Sequence, residues 1–196
     1  MKILAFVDSH GSLSATRKIS KMAEKADVVV CAGDFTLFGD DVDFFVHKMC
    51  IAKKPVLIVP GNHEFREDVK KACSLFDNAY YLHNKGFEAG DYVFIGFEGN
   101  GFSKKDQEFE EAASGLKKMI KKGKKIILIT HAPPFKTKID LVLDNHCGNE
   151  SIRKFIESNR IDLVISGHLH ENSGKEDKIK NTRVVNPGPM GKMLTI

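Results

Sequence analysis

The chain has 196 residues, 42% of them hydrophobic, and a formal net charge of +4. That is enough apolar material for one domain spanning residues 1–196, while no apolar run approaches the ~20 residues needed to cross a bilayer. The mild positive balance tolerates an anionic substrate without calling for a nucleic-acid partner. Cys31, Cys50, Cys73 and Cys147 show no paired spacing, which argues against a disulfide framework or a cysteine zinc knuckle and places the protein in a reducing cytoplasm.

Ile3 to Val7 is a continuous apolar run that stops at Asp8 with no cleavage-like stretch, so it reads as a first strand rather than a leader. Ser12 or Ser14 caps a helix running to about Ala26, with Ile19, Met22, Ala23 and Ala26 at helical spacing. Asp27 to Ala32 is the second strand. Asp40 and Asp41 open a helix with Val42, Phe45, Val46 and Met49 on one face, and Val56 to Pro60 is the third strand. Strand–helix–strand–helix–strand order predicts a parallel sheet with right-handed crossovers. A helix to about Phe76 follows, then strands over Ala79–Leu82 and Phe87–Phe97 with turns near Asn84-Lys85-Gly86 and Gly90-Asp91. Lys105 to Lys122 is helical, Ile126 to Thr130 a strand, and Ala132 to Gly148 a long loop of the kind that is usually functional. Asn149 caps the next helix, Asp162 to Ser166 and Arg183 to Val185 are strands, and Met193 to Ile196 is a final edge strand. The lysines between 117 and 125 read as a solvated helix end.

Five strand ends carry chemistry: Asp8-Ser9-His10, Gly33-Asp34, Gly61-Asn62-His63-Glu64, His131 and Gly167-His168-Leu169-His170. Singly each is ordinary, since a strand-end histidine is commonly a surface or satisfied residue. Together they are not: in open α/β sheets ligands bind beyond the carboxyl ends of the strands, so all five stretches can converge. Asp8, His10, Asp34, Asn62, His131, His168 and His170 supply two carboxylates, an amide oxygen and four imidazoles. That mixed oxygen and nitrogen set suits divalent first-row metals, and seven ligands suit two ions with one carboxylate shared. Gly33, Gly61 and Gly167 are expected to let the chain turn sharply where a strand stops.

In these motifs the sequence resembles the calcineurin-like metallophosphoesterases, over nearly the whole chain and most closely their small prokaryotic phosphodiesterases. The resemblance implies an α/β fold, a four-layer α/β/β/α sandwich of two mixed sheets flanked by helices. It also implies two divalent ions, manganese first with iron, nickel or zinc as alternatives. Asp8, His10 and His170 would hold one ion, Asn62, His131 and His168 the other, and Asp34 would bridge them. A hydroxide shared by the ions would attack phosphorus in line, and His63 would be the catalytic residue that protonates or stabilises the leaving oxygen. A small phosphodiester such as a cyclic nucleotide is the expected substrate, met by Asn62, His63 and His146. Alternatives with the same centre are a phosphomonoesterase or a nuclease. A non-catalytic scaffold is disfavoured because every motif position is filled. A dimer is compatible with this reading.

Protein phosphatases of the family place a carboxylate three residues after the bridging aspartate to orient the catalytic histidine. Here that position is Leu37, so His63 needs another orienter, with Glu64 or a backbone carbonyl as candidates. Phe35, Phe38, Phe102, Pro133, Pro134 and Phe135 flank the motif ends and are candidates to wall a substrate pocket. His47, in mid-helix, reads as structural, His83 follows a strand, and Arg66 reads as a solvated arginine.

Overall fold

The computed structural model describes residues 1–99 and 103–196. In chain order its elements are β1 (Lys2–Phe6), α1 (Leu13–Ala23), β2 (Val28–Cys31), α2 (Val42–Cys50), β3 (Val56–Ile58), α3 (Arg66–Ser74), β4 (Ala79–Tyr81), β5 (Lys85–Ala89), β6 (Tyr92–Phe97) and α4 (Gln107–Lys118). There follow β7 (Lys125–Thr130), β8 (Leu141–Val142), β9 (Asn145–His146), α5 (Glu150–Ser158), β10 (Leu163–Ile165), a 3-10 turn over His170–Asn172, β11 (Glu176–Ile179), β12 (Thr182–Val185) and β13 (Lys192–Thr195).

Two large mixed sheets form. The first has the order β13-β1-β2-β3-β4 and the second β11-β12-β10-β7-β6-β5. β1 to β4 pair in parallel, as the alternation of strand and helix requires, while β13 closes the edge antiparallel to β1, with Lys2 opposite Thr195. The continuous apolar strands have a direct physical reading: both of their faces are buried. Leu4, Phe6, Val29, Cys31, Val56 and Ile58 pack under α1, α2 and α3. Their neighbours Ile3, Ala5, Val28, Val30 and Leu57 face the other sheet and meet Ile127, Ile129, Leu163, Ile165 and Val185. The opposite face of the second sheet, with Ile126, Leu128, Val164 and Val184, packs against Phe109, Leu116, Ile152 and Phe155 of α4 and α5. Helices, two sheets and helices therefore stack in four layers, and the fold class expected from sequence is the one observed.

Helix starts follow their caps. The side chains of Ser12, Asp106 and Asn149 accept from the N–H groups of Ala15, Phe109 and Ile152. Two expectations differ from the structure. Residues 132–148 are not one loop but contain the β8–β9 hairpin. Its turn, Leu143-Asp144, has two positive φ angles of 47° and 65° without the Asn-Gly or Asp-Gly pair that marks such turns in sequence. β11 is an additional edge strand, and its Glu176-Asp177-Lys178-Ile179 carries too little apolar alternation to announce itself.

His83, just after β4, is buried at 9% exposure. Its Nδ1 accepts the Glu98 N–H at 3.2 Å and its Nε2 lies 3.0 Å from the Asn84 amide nitrogen. Arg66 is not a free solvated side chain; it pairs with both Glu98 and Glu108 beside this imidazole. Burial, with Arg66 adding to it, lowers His83 from 6.5 to about 4. The unfolded chain therefore binds the proton more tightly between those values, so the contribution of neutral His83 is complete above pH 6.5 and lost as pH falls toward 4. In urea titrations between about pH 7 and 4.5, the wild type is expected to lose more stability than His83→Gln. Equal losses would show that His83 is not the group responsible.

Candidate metal centre

All five strand-end stretches meet at one edge of the sandwich, as strands ending on the same side must. The backbone there is unusual. Asp8, His10, Asp34 and His168 have φ angles of 56°, 40°, 50° and 69°, in the left-handed region that non-glycine residues rarely adopt and that functional sites concentrate. Of the three motif glycines, only Gly33, with φ of 99°, acts through its own backbone angle. Gly61 and Gly167 are required by close approach, which corrects the expectation of a turn role. A Cβ on Gly61 would fall 2.0 Å from Asp34 Oδ1, and one on Gly167 would fall 2.2 Å from Val7 Cγ2.

Three groups of donor atoms form among the described residues, and one of them, His10, Asp34 and His63, links the other two. Asp8, His10 and His170 each offer an atom within 4.8 Å of the others, and so do Asp34, His131 and His168. His10 Nε2 and His170 Nε2 lie 2.9 Å apart. Asn62 Oδ1 joins the second group, 3.1 Å from His131 Nε2 and 2.9 Å from His168 Nδ1. Asp34 lies between the groups: its Oδ2 is 3.3 Å from His131 Nε2 and 3.9 Å from His10 Nε2. The seven residues singled out from sequence are thus all brought together. His131 Nδ1 donates to the Ala32 carbonyl at 2.9 Å, which turns Nε2 toward Asp34 and Asn62, the arrangement by which a backbone acceptor fixes the tautomer of a ligating histidine. The donor chemistry and its inward convergence fit divalent cations.

The electrostatics are those of charged groups taken out of water. Burial raises the Asp8 carboxyl to about 6. Burial works the same way on Asp34, but contact with His131 outweighs it and holds that carboxyl at about 2. The same pairing, against burial, lifts His131 to about 9. Burial lowers His168 to about 4 and lowers His10 as well.

Glu64 supports the site from behind. Its buried carboxylate accepts from the N–H groups of Asp34, Thr36 and Gly61, each at 2.9 Å, and from Thr36 Oγ1 at 2.7 Å. It holds the Asp34 loop against the Asn62 loop and does not touch the His63 ring. His63 is oriented instead by a donor: the Phe38 N–H reaches its Nδ1 at 3.3 Å, and the Phe38 ring stacks on the imidazole. The neutral ring then carries its proton on Nε2. The His63 N–H in turn donates to Asp34 Oδ1 at 2.9 Å.

The cleft is lined by His10, Asp34, Asn62, His63, His168, His170, Leu169 and Glu171, with Val142 contributed by the β8–β9 hairpin. His146 does not line it; its Nδ1 is bound to Asp140 at 2.7 Å. Phe35, Pro133 and Pro134 are buried, Phe135 packs edge-on against His146, and Phe102 lies outside the described residues. No motif signal pointed to Val142 or the Phe38 N–H, because one depends on a hairpin and the other on a backbone atom.

The sequence matches the calcineurin-like phosphoesterase family over residues 1–172. The chain belongs to that family of metallophosphoesterases, hydrolases that act on phosphoester bonds. It is 35% identical to the uncharacterized protein MJ1162 of Methanocaldococcus jannaschii, covering 96% of this chain and 88% of that one. It is also 26% identical to a probable glycerophosphodiester phosphodiesterase, GpdQ, of Arcobacter nitrofigilis, across 84% of this chain and 64% of that protein. The fold is shared with TT1561 of Thermus thermophilus, with a TM-score of 0.77 at 20% identity over 95% of this chain and 88% of that one.

Glu64→Gln tests the support. The amide NH2 would face backbone donors that now meet an oxygen, so a loss of about 1–3 kcal/mol is expected from urea unfolding, with lower metal occupancy. Unchanged stability and occupancy would refute this role.

Proposed function

We propose that the protein is a phosphodiesterase dependent on two divalent metal ions, acting on a small phosphodiester. The observation that carries this reading is the pair of donor groups sharing Asp34. Asp8, His10 and His170 would hold one ion, Asn62, His131 and His168 the other, and the Asp34 carboxylate would belong to both. Such ions supply Lewis acidity, an activated water at neutral pH and a clamp on phosphoryl oxygens. Manganese fits the mixed oxygen and imidazole set, which has no thiolate.

The chain's own residues do the rest. Asp34 is fixed by His63 N–H and the Glu64 frame, so its position is set before substrate arrives. His63 stands beside His10 with ring centroids 4.6 Å apart, where its Nε2–H can donate a hydrogen bond to the oxygen leaving phosphorus and stabilise the charge developing there. Asn62 offers its amide nitrogen to a phosphoryl oxygen while its Oδ1 faces the two histidines. The diester preference is supported by the likeness to the probable glycerophosphodiester phosphodiesterase, and by an orienter of His63 that is a main-chain donor rather than an acid at the Leu37 position. The buried free thiols Cys31, Cys50 and Cys73 support a reducing, cytoplasmic setting.

Metal-stripped protein reloaded with manganese is expected to turn over bis-p-nitrophenyl phosphate faster than p-nitrophenyl phosphate. His63→Gln is expected to cut kcat roughly 10²- to 10⁴-fold with metal content unchanged. Preference for the monoester would overturn the substrate class, and full activity of His63→Gln would overturn its role.

A further inference from the structure

The loops that deliver Asp34 and His63 also expose apolar side chains. Leu37, Phe38 and Phe65 are 46%, 74% and 70% exposed. Phe65 lies close to the same loop, since a Cβ on Gly39, next to Phe38, would lie 3.6 Å from its ring. Phe38 stacks on the His63 imidazole, with centroids 4.7 Å apart and planes 29° from parallel. Its φ is 53°, a conformation in which a bulky residue is a genuine outlier. The strain is held by hydrogen bonds on either side: Phe38 N–H to His63 Nδ1 at 3.3 Å and Gly39 N–H to Thr36 Oγ1 at 3.2 Å. A strained backbone normally persists where the surroundings impose it for function. Burial is not what this ring gains, because most of it faces solvent. What it gains is an open aromatic surface next to the imidazole that meets the leaving group. An exposed apolar patch continuous with a catalytic cleft marks a binding surface.

Resting on the phosphodiesterase reading above, we propose that Phe38 determines leaving-group specificity by stacking an aromatic ring, the base of a nucleoside, whose oxygen is addressed by His63. Phe65, close to Gly39 of the same loop, extends the platform. The preferred diester therefore carries a nucleoside on its leaving side. A diester with only alkyl groups, such as glycerophosphocholine, forfeits the stack while keeping every contact to phosphorus. Base–aromatic stacking is tolerant of base identity because every base has a π face, so purines and pyrimidines should both be accepted.

The test compares ligands that differ only by the ring. Calorimetric titration of the manganese-loaded protein with AMP and with ribose 5-phosphate isolates the base. AMP is expected to bind roughly tenfold more tightly, with the gap lost in Phe38→Ala and kept in Phe38→Trp. In turnover, Phe38→Ala is expected to raise KM for bis-p-nitrophenyl phosphate roughly tenfold more than for glycerophosphocholine, whereas a merely structural role would change both alike. Equal binding of AMP and ribose 5-phosphate by the wild type, or a gap that survives Phe38→Ala, would overturn the proposal. So would a change of oligomeric mass in Phe38→Ala with no change in the gap, which would make this surface a contact between copies. If the wild type hydrolyses no diester with any metal, the phosphodiesterase reading falls by itself, and the AMP comparison still decides whether Phe38 is a platform.

Discussion

A buried carboxylate that must face two sets of imidazoles has to be held from behind, and that constraint shapes this end of the molecule. Asp34 sits at the end of a central parallel strand with a left-handed backbone. Glu64 accepts from its N–H, His63 donates to its Oδ1, and Gly61 passes so close that no side chain fits there. The motif Gly-Asn-His-Glu is therefore one device. The glycine admits the Asp34 carboxylate, the asparagine and histidine face the cleft, and the glutamate ties the two loops together. The two sheets exist, in effect, to bring that device within reach of His131 and His168, which end strands of the opposite sheet.

The orientation of His63 follows from the same frame. The side chain of Thr36 is fixed by Glu64, and Thr36 Oγ1 receives the Gly39 N–H. The intervening turn then aims the Phe38 N–H at the imidazole. A main-chain donor at Nδ1 selects the tautomer opposite to the one a carboxylate acceptor there would select. It leaves Nε2–H as the available donor without adding negative charge to a site already holding two carboxylates.

Much of this was legible in the sequence, because strand ends in a parallel sheet converge by topology. An aspartate, asparagine or histidine directly after an apolar run such as residues 126–130 could be placed at the same edge without knowing any contact. The parallel sheet followed from the alternation of elements, the four-layer sandwich from the family resemblance, and two of the helix caps from Ser12 and Asn149. What was not legible depends on atoms that residue type does not reveal. Gly61 and Gly167 look like turn residues but serve packing. Glu64 reads as a candidate orienter of His63, yet its buried carboxylate accepts from four donors around Asp34 instead. The Leu143-Asp144 turn lacks its usual residues, which hid the hairpin that carries Val142 into the cleft and holds His146 away from it.

The proposed sharing of Asp34 by two ions can be examined directly by counting bound metal. Wild-type, Asp8→Ala and Asp34→Ala proteins would be stripped, equilibrated with manganese and measured by elemental analysis. Two ions per chain are expected for the wild type, about one for Asp8→Ala, and loss at both positions for Asp34→Ala. If Asp34→Ala held as much metal as Asp8→Ala, or as much as the wild type, the two donor groups would be independent. A centre organised around one shared carboxylate would then be contradicted.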